Sequence, residues 1–205
     1  MSGVAEILAA ELTPSKEEVL RAWWPNFQEK GAFRLVDPAG EVGIDFVIGT
    51  DEADRYLQLP VTYRSAELDG GSVGQLEHSV LGTRYLTKAT YDPVAVGEIV
   101  RVILAGDNEA QRSDAKPQIL KIKGSGQTPS TEVTEVVIED ASEERVFANA
   151  KINGVGRSFE LRLPRRLLPV KYLRASRVPS PRNITGVFSD SEEPLVIAEL
   201  IWRDL

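Results

Sequence analysis

The sequence predicts an α+β protein, with N-terminal helices and one later helix set against antiparallel strands. Three observations carry that expectation. Residues 92–106 hold a complete helix signal. Short runs rich in Val, Ile, Thr and aromatic residues, punctuated by turn residues, occupy most of 32–87 and 118–202. Helical and strand signals come in blocks rather than in alternation, which argues against a ladder of βαβ units.

In chain order, residues 4–12 place Val4, Ile7, Leu8 and Leu12 on one helical face. Thr13-Pro14 interrupts, and Ser15 followed by Glu18 has capping-box spacing, so a second helix is expected from Lys16 to about Trp24, stopped by Pro25. Strands are expected over 32–36 and 42–48 around the turn Asp37-Pro38-Ala39-Gly40, then over 55–63, and over 73–87 with a break at Gly82. Asp92 can cap free amides, and Pro93 suits a first helical position, where its missing N–H costs nothing. Val96, Ile99, Val100, Ile103 and Leu104 make an i, i+3, i+4 stripe, closed by Gly106. Residues 107–117 read as a polar loop. Four strands follow at 118–123, 132–139, 145–152 and 157–163, the last two joined by Asn153-Gly154, a strong hairpin signal. A basic stretch punctuated by Pro164, Pro169, Pro179 and Pro181 precedes a final strand at 195–202. The expected units are 1–110 and 111–205.

Composition narrows the function. The chain has 205 residues, 42% of them hydrophobic, and a net charge of −7. An acidic surface disfavours nucleic acid, which requires basic contacts. No apolar run approaches the ~20 residues of a membrane span. The N-terminus lacks the basic start and apolar core of a signal peptide, so cytoplasm is the expected location. Zero cysteines exclude disulfides, thiolate catalysis and cysteine-bound zinc. One histidine, His78, excludes multi-histidine metal sites. In Glu77-His78-Ser79, a strand would point neighbours to opposite faces, which is wrong for a local triad. His78 therefore reads as a half-buried, backbone-bonded residue, or as a ligand or pH-sensing contact. Gly124-Ser125-Gly126 lacks a P-loop lysine and reads as a turn. The acidic pairs Glu17-Glu18, Glu143-Glu144 and Glu192-Glu193 read as solvated charge. No cofactor and no metal is expected.

Charge is uneven along the chain. Between residues 162 and 182 lie Arg162, Arg165, Arg166, Lys171, Arg174, Arg177 and Arg182, with no acid among them. The remainder carries 17 basic and 31 acidic residues, a balance of −14. One reading is a solvated edge that discourages strand pairing. The other is a docking surface for an acidic partner, a phosphorylated metabolite or phosphate, steered by complementary potential.

Two stretches carry a family resemblance. Residues 56–66 (YLQLPVTYRSA) and 81–93 (LGTRYLTKATYDP) resemble the N-terminal cap domain of actinobacterial maltokinases and related aminosugar kinases, over roughly residues 16–106. Lys88 stands where that family commonly has an acid, and Tyr91 where it commonly has histidine. The resemblance implies a cystatin-like arrangement, in which helix packs on a curved antiparallel sheet, and a setting in trehalose, maltose and glycogen metabolism. Residues 158–167 (SFELRLPRRL) are similar to the intermediate-lobe strand that carries a phosphate-binding lysine, with Arg162 in its place.

The resemblance, together with the lack of a kinase catalytic loop or metal motif after Asn183, leads to the expectation of a standalone, non-catalytic cap-like module. Its partner would be a protein, such as a sugar kinase or another enzyme of glucan metabolism. The alternative is a small-molecule or lipid carrier with a pocket between sheet and helix. Trp23, Trp24, Tyr63, His78, Arg84 and Tyr85 are the candidate contacts, and the stripe Val96–Leu104 could line the pocket or simply fill the core. A glucan-processing hydrolase is disfavoured, since nothing supplies its paired carboxylates.

Overall fold

The computed structural model describes residues 3–114, 118–172 and 182–203. Among these the fold is α+β: two helices, and two six-stranded antiparallel sheets of which the first curls into half a barrel.

The first residues do not form the expected helix. They make an extended strap with a two-residue strand near each end, β1 (Val4–Ala5) and β2 (Leu12–Thr13). A nine-residue helix is marginal in water, and here the strap's backbone groups find partners elsewhere. The Ile7 amide donates to Ser113 Oγ at 2.8 Å and the Glu11 amide to Ser79 Oγ at 3.0 Å, while the Ser79 amide donates to the Glu11 carbonyl.

Helix α1 (Lys16–Trp23) starts on the capping box read from the sequence: the Ser15 side chain accepts from the Glu18 amide, and the Glu18 carboxylate accepts from the Ser15 amide at 2.7 Å. Strands β3 (Gln28–Val36), β4 (Gly43–Thr50), β5 (Tyr56–Arg64), β6 (Ser72–His78) and β7 (Gly82–Lys88) follow. With β2 they form the first sheet, in the order β2-β6-β7-β5-β4-β3.

Helix α2 (Pro93–Ala105) begins at Asp92, whose carboxylate accepts from the Val94 amide at 2.9 Å and grips Arg64 of β5 with both oxygens, each at 2.6 Å. It ends on Gly106 in the left-handed conformation. After β8 (Gln111–Arg112), which pairs with β1 in parallel, β9 (Leu120–Gly124) runs into the Gly124-Ser125-Gly126 turn, and this turn closes the helix end. The Gly126 amide donates to the Ile103 carbonyl at 2.8 Å, and a Cβ at Gly126 would sit 1.9 Å from the Leu104 oxygen. Only glycine lets the turn satisfy those orphan carbonyls so closely.

The second sheet adds β10 (Val133–Ala141), β11 (Arg145–Ile152), β12 (Val155–Arg162), β13 (Arg182–Phe188) and β14 (Leu195–Trp202), in the order β10-β11-β12-β14-β13-β9. The Asn153-Gly154 hairpin and the final strand stand as predicted. Strand β13 was not foreseen: its alternation of buried Ile184, Gly186 and Phe188 lay behind prolines and basic residues. Gly186 lies flush against Leu120 of the neighbouring β9, where a Cβ would meet its side chain at 2.8 Å.

Helix α2 lies between the sheets, touching β3 of the first and β9, β10, β13 and β14 of the second. One buried cluster joins Phe33, Leu35, Ile44, Phe46 and Ile48 of the first sheet to Val96, Ile99, Val100 and Ile103 of α2 and to Val146, Phe159, Leu161 and Leu200 of the second sheet. The helical stripe therefore fills the core. Helix α1 covers the opposite face of the first sheet, where Leu20 packs with Val47, Leu59 and Val61.

Candidate functional site

Strand alternation divides the first sheet's side chains between two faces. Arg34 pairs with Asp45, Gly43 with Tyr63, Tyr63 with Leu86, and Leu76 with Arg84, so these residues share the face covered by α1 and the strap. Tyr85, one residue on from Arg84, turns to the other face.

An ion cluster is built into the covered face. Lys16 Nζ approaches Asp45 at 2.6 Å from α1, and Arg34 donates to the same carboxylate at 2.5 and 3.0 Å from β3. Asp45 is 3% exposed. Burial alone would raise its pKa, but the Lys16 ammonium and the Arg34 guanidinium overcome that and hold the carboxyl well below the usual range. Burial would likewise lower Lys16, yet Asp45 keeps it above its ordinary value. The Lys16 ammonium lies 4.7 Å from the centre of the Tyr63 ring. The Tyr63 hydroxyl is buried with no hydrogen-bond partner among the described residues, and burial pushes its pKa up.

Beside this cluster the strap roofs a cavity of about 640 Å³. Tyr63, His78 and Arg84 border it, as do Lys16, Arg34, Leu12 and Leu76. His78 is half-buried, and its Nδ1 accepts from the Val80 and Leu81 amides at 3.2 and 3.1 Å. Neutral His78 consequently carries its proton on Nε2. Arg84 donates to the adjacent Thr83 carbonyl at 3.1 Å, and no carboxylate pairs with it among the described residues.

The remaining aromatic candidates gather elsewhere. Trp23 and Trp24, at the end of α1, meet Arg165, whose guanidinium lies 4.1 Å from the Trp24 ring and 5.6 Å from that of Trp23. Glu143 binds Arg165 and also Lys88, the latter at 2.8 Å. Lys88 and then Arg165 hold the Glu143 carboxyl below its usual range. The Arg165 amide donates to Glu144 at 2.9 Å. Glu143 and Glu144 are exposed, as their reading as solvated charge expects, yet Glu143 also ties Lys88 of β7 to Arg165, a pairing that spacing could not show because the partners are distant in sequence.

Other basic candidates are also occupied. Arg162 bonds Glu160 at 2.7 Å, and Lys171 binds Glu193. Arg166 and Arg182 are exposed. Arg174 and Arg177 lie outside the described residues. Of the basic stretch, Arg162, Arg165 and Lys171 thus face carboxylates of the same chain. Among the described residues, no group of three or more His, Asp or Glu is placed to hold a metal ion, and no helix is long and apolar enough to cross a membrane.

Comparison with known families finds a likeness over most of the first sheet. Residues 16–92, less than half of the chain, match the family model described as the maltokinase N-terminal cap domain. The match begins at the first residue of α1 and ends at Asp92, the cap of α2, so it takes in α1 and β3–β7 and bears out the resemblance. The strap and the second sheet lie outside it. Curated proteins give no match to the chain.

Proposed function

We propose that this chain is a non-catalytic, cap-like binding or regulatory module that acts beside an enzyme phosphorylating maltose, a related α-glucan sugar or an aminosugar. The match of residues 16–92 to the maltokinase cap carries this reading, because the cap is the N-terminal, non-catalytic part of such enzymes. On this reading residues 1–110 are the cap-like region, and 111–205 are a β-region related to the kinase intermediate lobe and packed with it. The partner is a protein, and the exposed Arg166 and Arg182 offer contacts to an acidic surface on it. The test is to incubate the purified chain with ATP, Mg²⁺ and maltose or glucosamine, then to add it to a maltokinase. The chain alone gives no turnover, and adding it shifts the kinase's KM or kcat. Turnover by the chain itself, or no effect on the kinase at any ratio, overturns the reading.

A further inference from the structure

The cavity under the strap has features that packing does not account for. Its volume, about 640 Å³, lies within the range of small-molecule sites. Arg84 brings a full positive charge to it and has no counter-ion among the described residues. Asp45 lies between two cations, Lys16 and Arg34, and Glu29 lies close enough to feel the Lys16 charge. Asp37, an acid on the lining, is occupied by the amides of Ala39, Glu41 and Val42. Glu6 and Glu41, the other lining acids, are exposed. Tyr63 and His78 add polar groups to a wall otherwise lined by aliphatic residues such as Ile7, Leu12 and Leu76, and Leu8 and Leu81, 36% and 46% exposed, also border it.

We propose that this cavity binds a small organic acid with an apolar body, its carboxylate held by Arg84 and by the Nε2–H of His78. A guanidinium presents paired donors that fit a carboxylate. The Nδ1 of His78 is already occupied by backbone amides, which leaves the opposite edge of the ring as a donor. The aliphatic tail lies along Leu12, Leu76 and the inner side of the strap. The roof is formed by residues that precede the matched cap segment. The proposal does not depend on the cap-module reading.

Octanoate, 1-octanol and inorganic phosphate, titrated into the intact chain by calorimetry, separate the contributions. Octanoate binds saturably, at least about tenfold more tightly than octanol, which lacks the charge, or than phosphate, which lacks the tail. Arg84→Met brings octanoate down to the level of octanol and leaves octanol unchanged. Leu81→Glu, at an exposed position that does not threaten folding, also weakens octanoate by repulsion at the mouth. Three results each overturn the proposal: no saturable octanoate binding at low-millimolar concentration, phosphate binding as tightly as octanoate, or octanoate binding that the folded variants leave unchanged.

Discussion

The two faces of the first sheet are made from the same strands yet solve different problems. Toward α2, Phe33 and Phe46 stack with ring centres 4.6 Å apart, and Leu35, Ile44 and Ile48 continue a dry core into the second sheet. Toward α1 and the strap, Asp45 is buried between the partly exposed Lys16 and Arg34, and a cavity remains. The apolar cluster on the α2 face draws its stability from burial, which is indifferent to pH, while the same face also carries the buried Asp92–Arg64 pair. The ion cluster on the α1 face, which lies beside the apolar packing of Leu20, Val47 and Leu59, offsets desolvation with ion pairs and is therefore conditional on the protonation state of Asp45. A sheet that buries both faces can thus keep one for holding the fold and leave the other open to ligand chemistry.

The largest expected effect comes from Asp45→Asn. Removing the carboxylate leaves Lys16 and Arg34 facing each other partly buried, and the variant loses about 3–5 kcal/mol in urea denaturation. Ile99→Ala, in the dry core, loses about 2–5 kcal/mol by leaving a cavity. The contrast between them lies in pH. Asp45 has a lower pKa folded than unfolded, so its contribution is complete above the unfolded value of about 3.9 and is lost as the pH falls through and below it. Comparing denaturation midpoints at pH 6 and pH 3, the penalty of Asp45→Asn shrinks in acid while that of Ile99→Ala stays constant. Equal pH dependence of the two penalties would erase the distinction between the faces.

A smaller effect tests how α1 is held on the charged face. Ser15→Ala removes the cap of the helix that delivers Lys16 and costs about 1 kcal/mol, read from the shift in thermal midpoint. Smallest of all, Lys171→Ser breaks a surface pair with Glu193 and leaves the midpoint unchanged. A clear loss there would mean that the basic stretch stabilises the fold.

Much of this architecture was legible from local patterns. The Ser15–Glu18 box, the Asp92-Pro93 start with its Gly106 stop, and the Asn153-Gly154 hairpin each satisfy backbone groups within a few residues of themselves, so spacing alone reveals them. The 4–12 strap misled because its apolar residues have helical spacing, while the groups that hold it, Ser79 and Ser113, are far along the chain. Strand β13 escaped notice because its pairing with β9 and β14 is non-local, and its alternation was masked by neighbouring prolines and arginines.

By itself, then, the sequence determined the α+β class, the two helices with their caps, most of the strands and the cap-like character of the first sheet. Tertiary structure alone decided the site. It placed Tyr63, His78 and Arg84 on one face and Tyr85 on the other, drew Trp23 and Trp24 to Arg165, and decided between the two readings of the α2 stripe in favour of core while opening a cavity beneath the strap. The physical reason is range. Caps and turns are satisfied by neighbours in sequence, whereas a buried charge or a cavity is defined by groups that only the folded chain brings together.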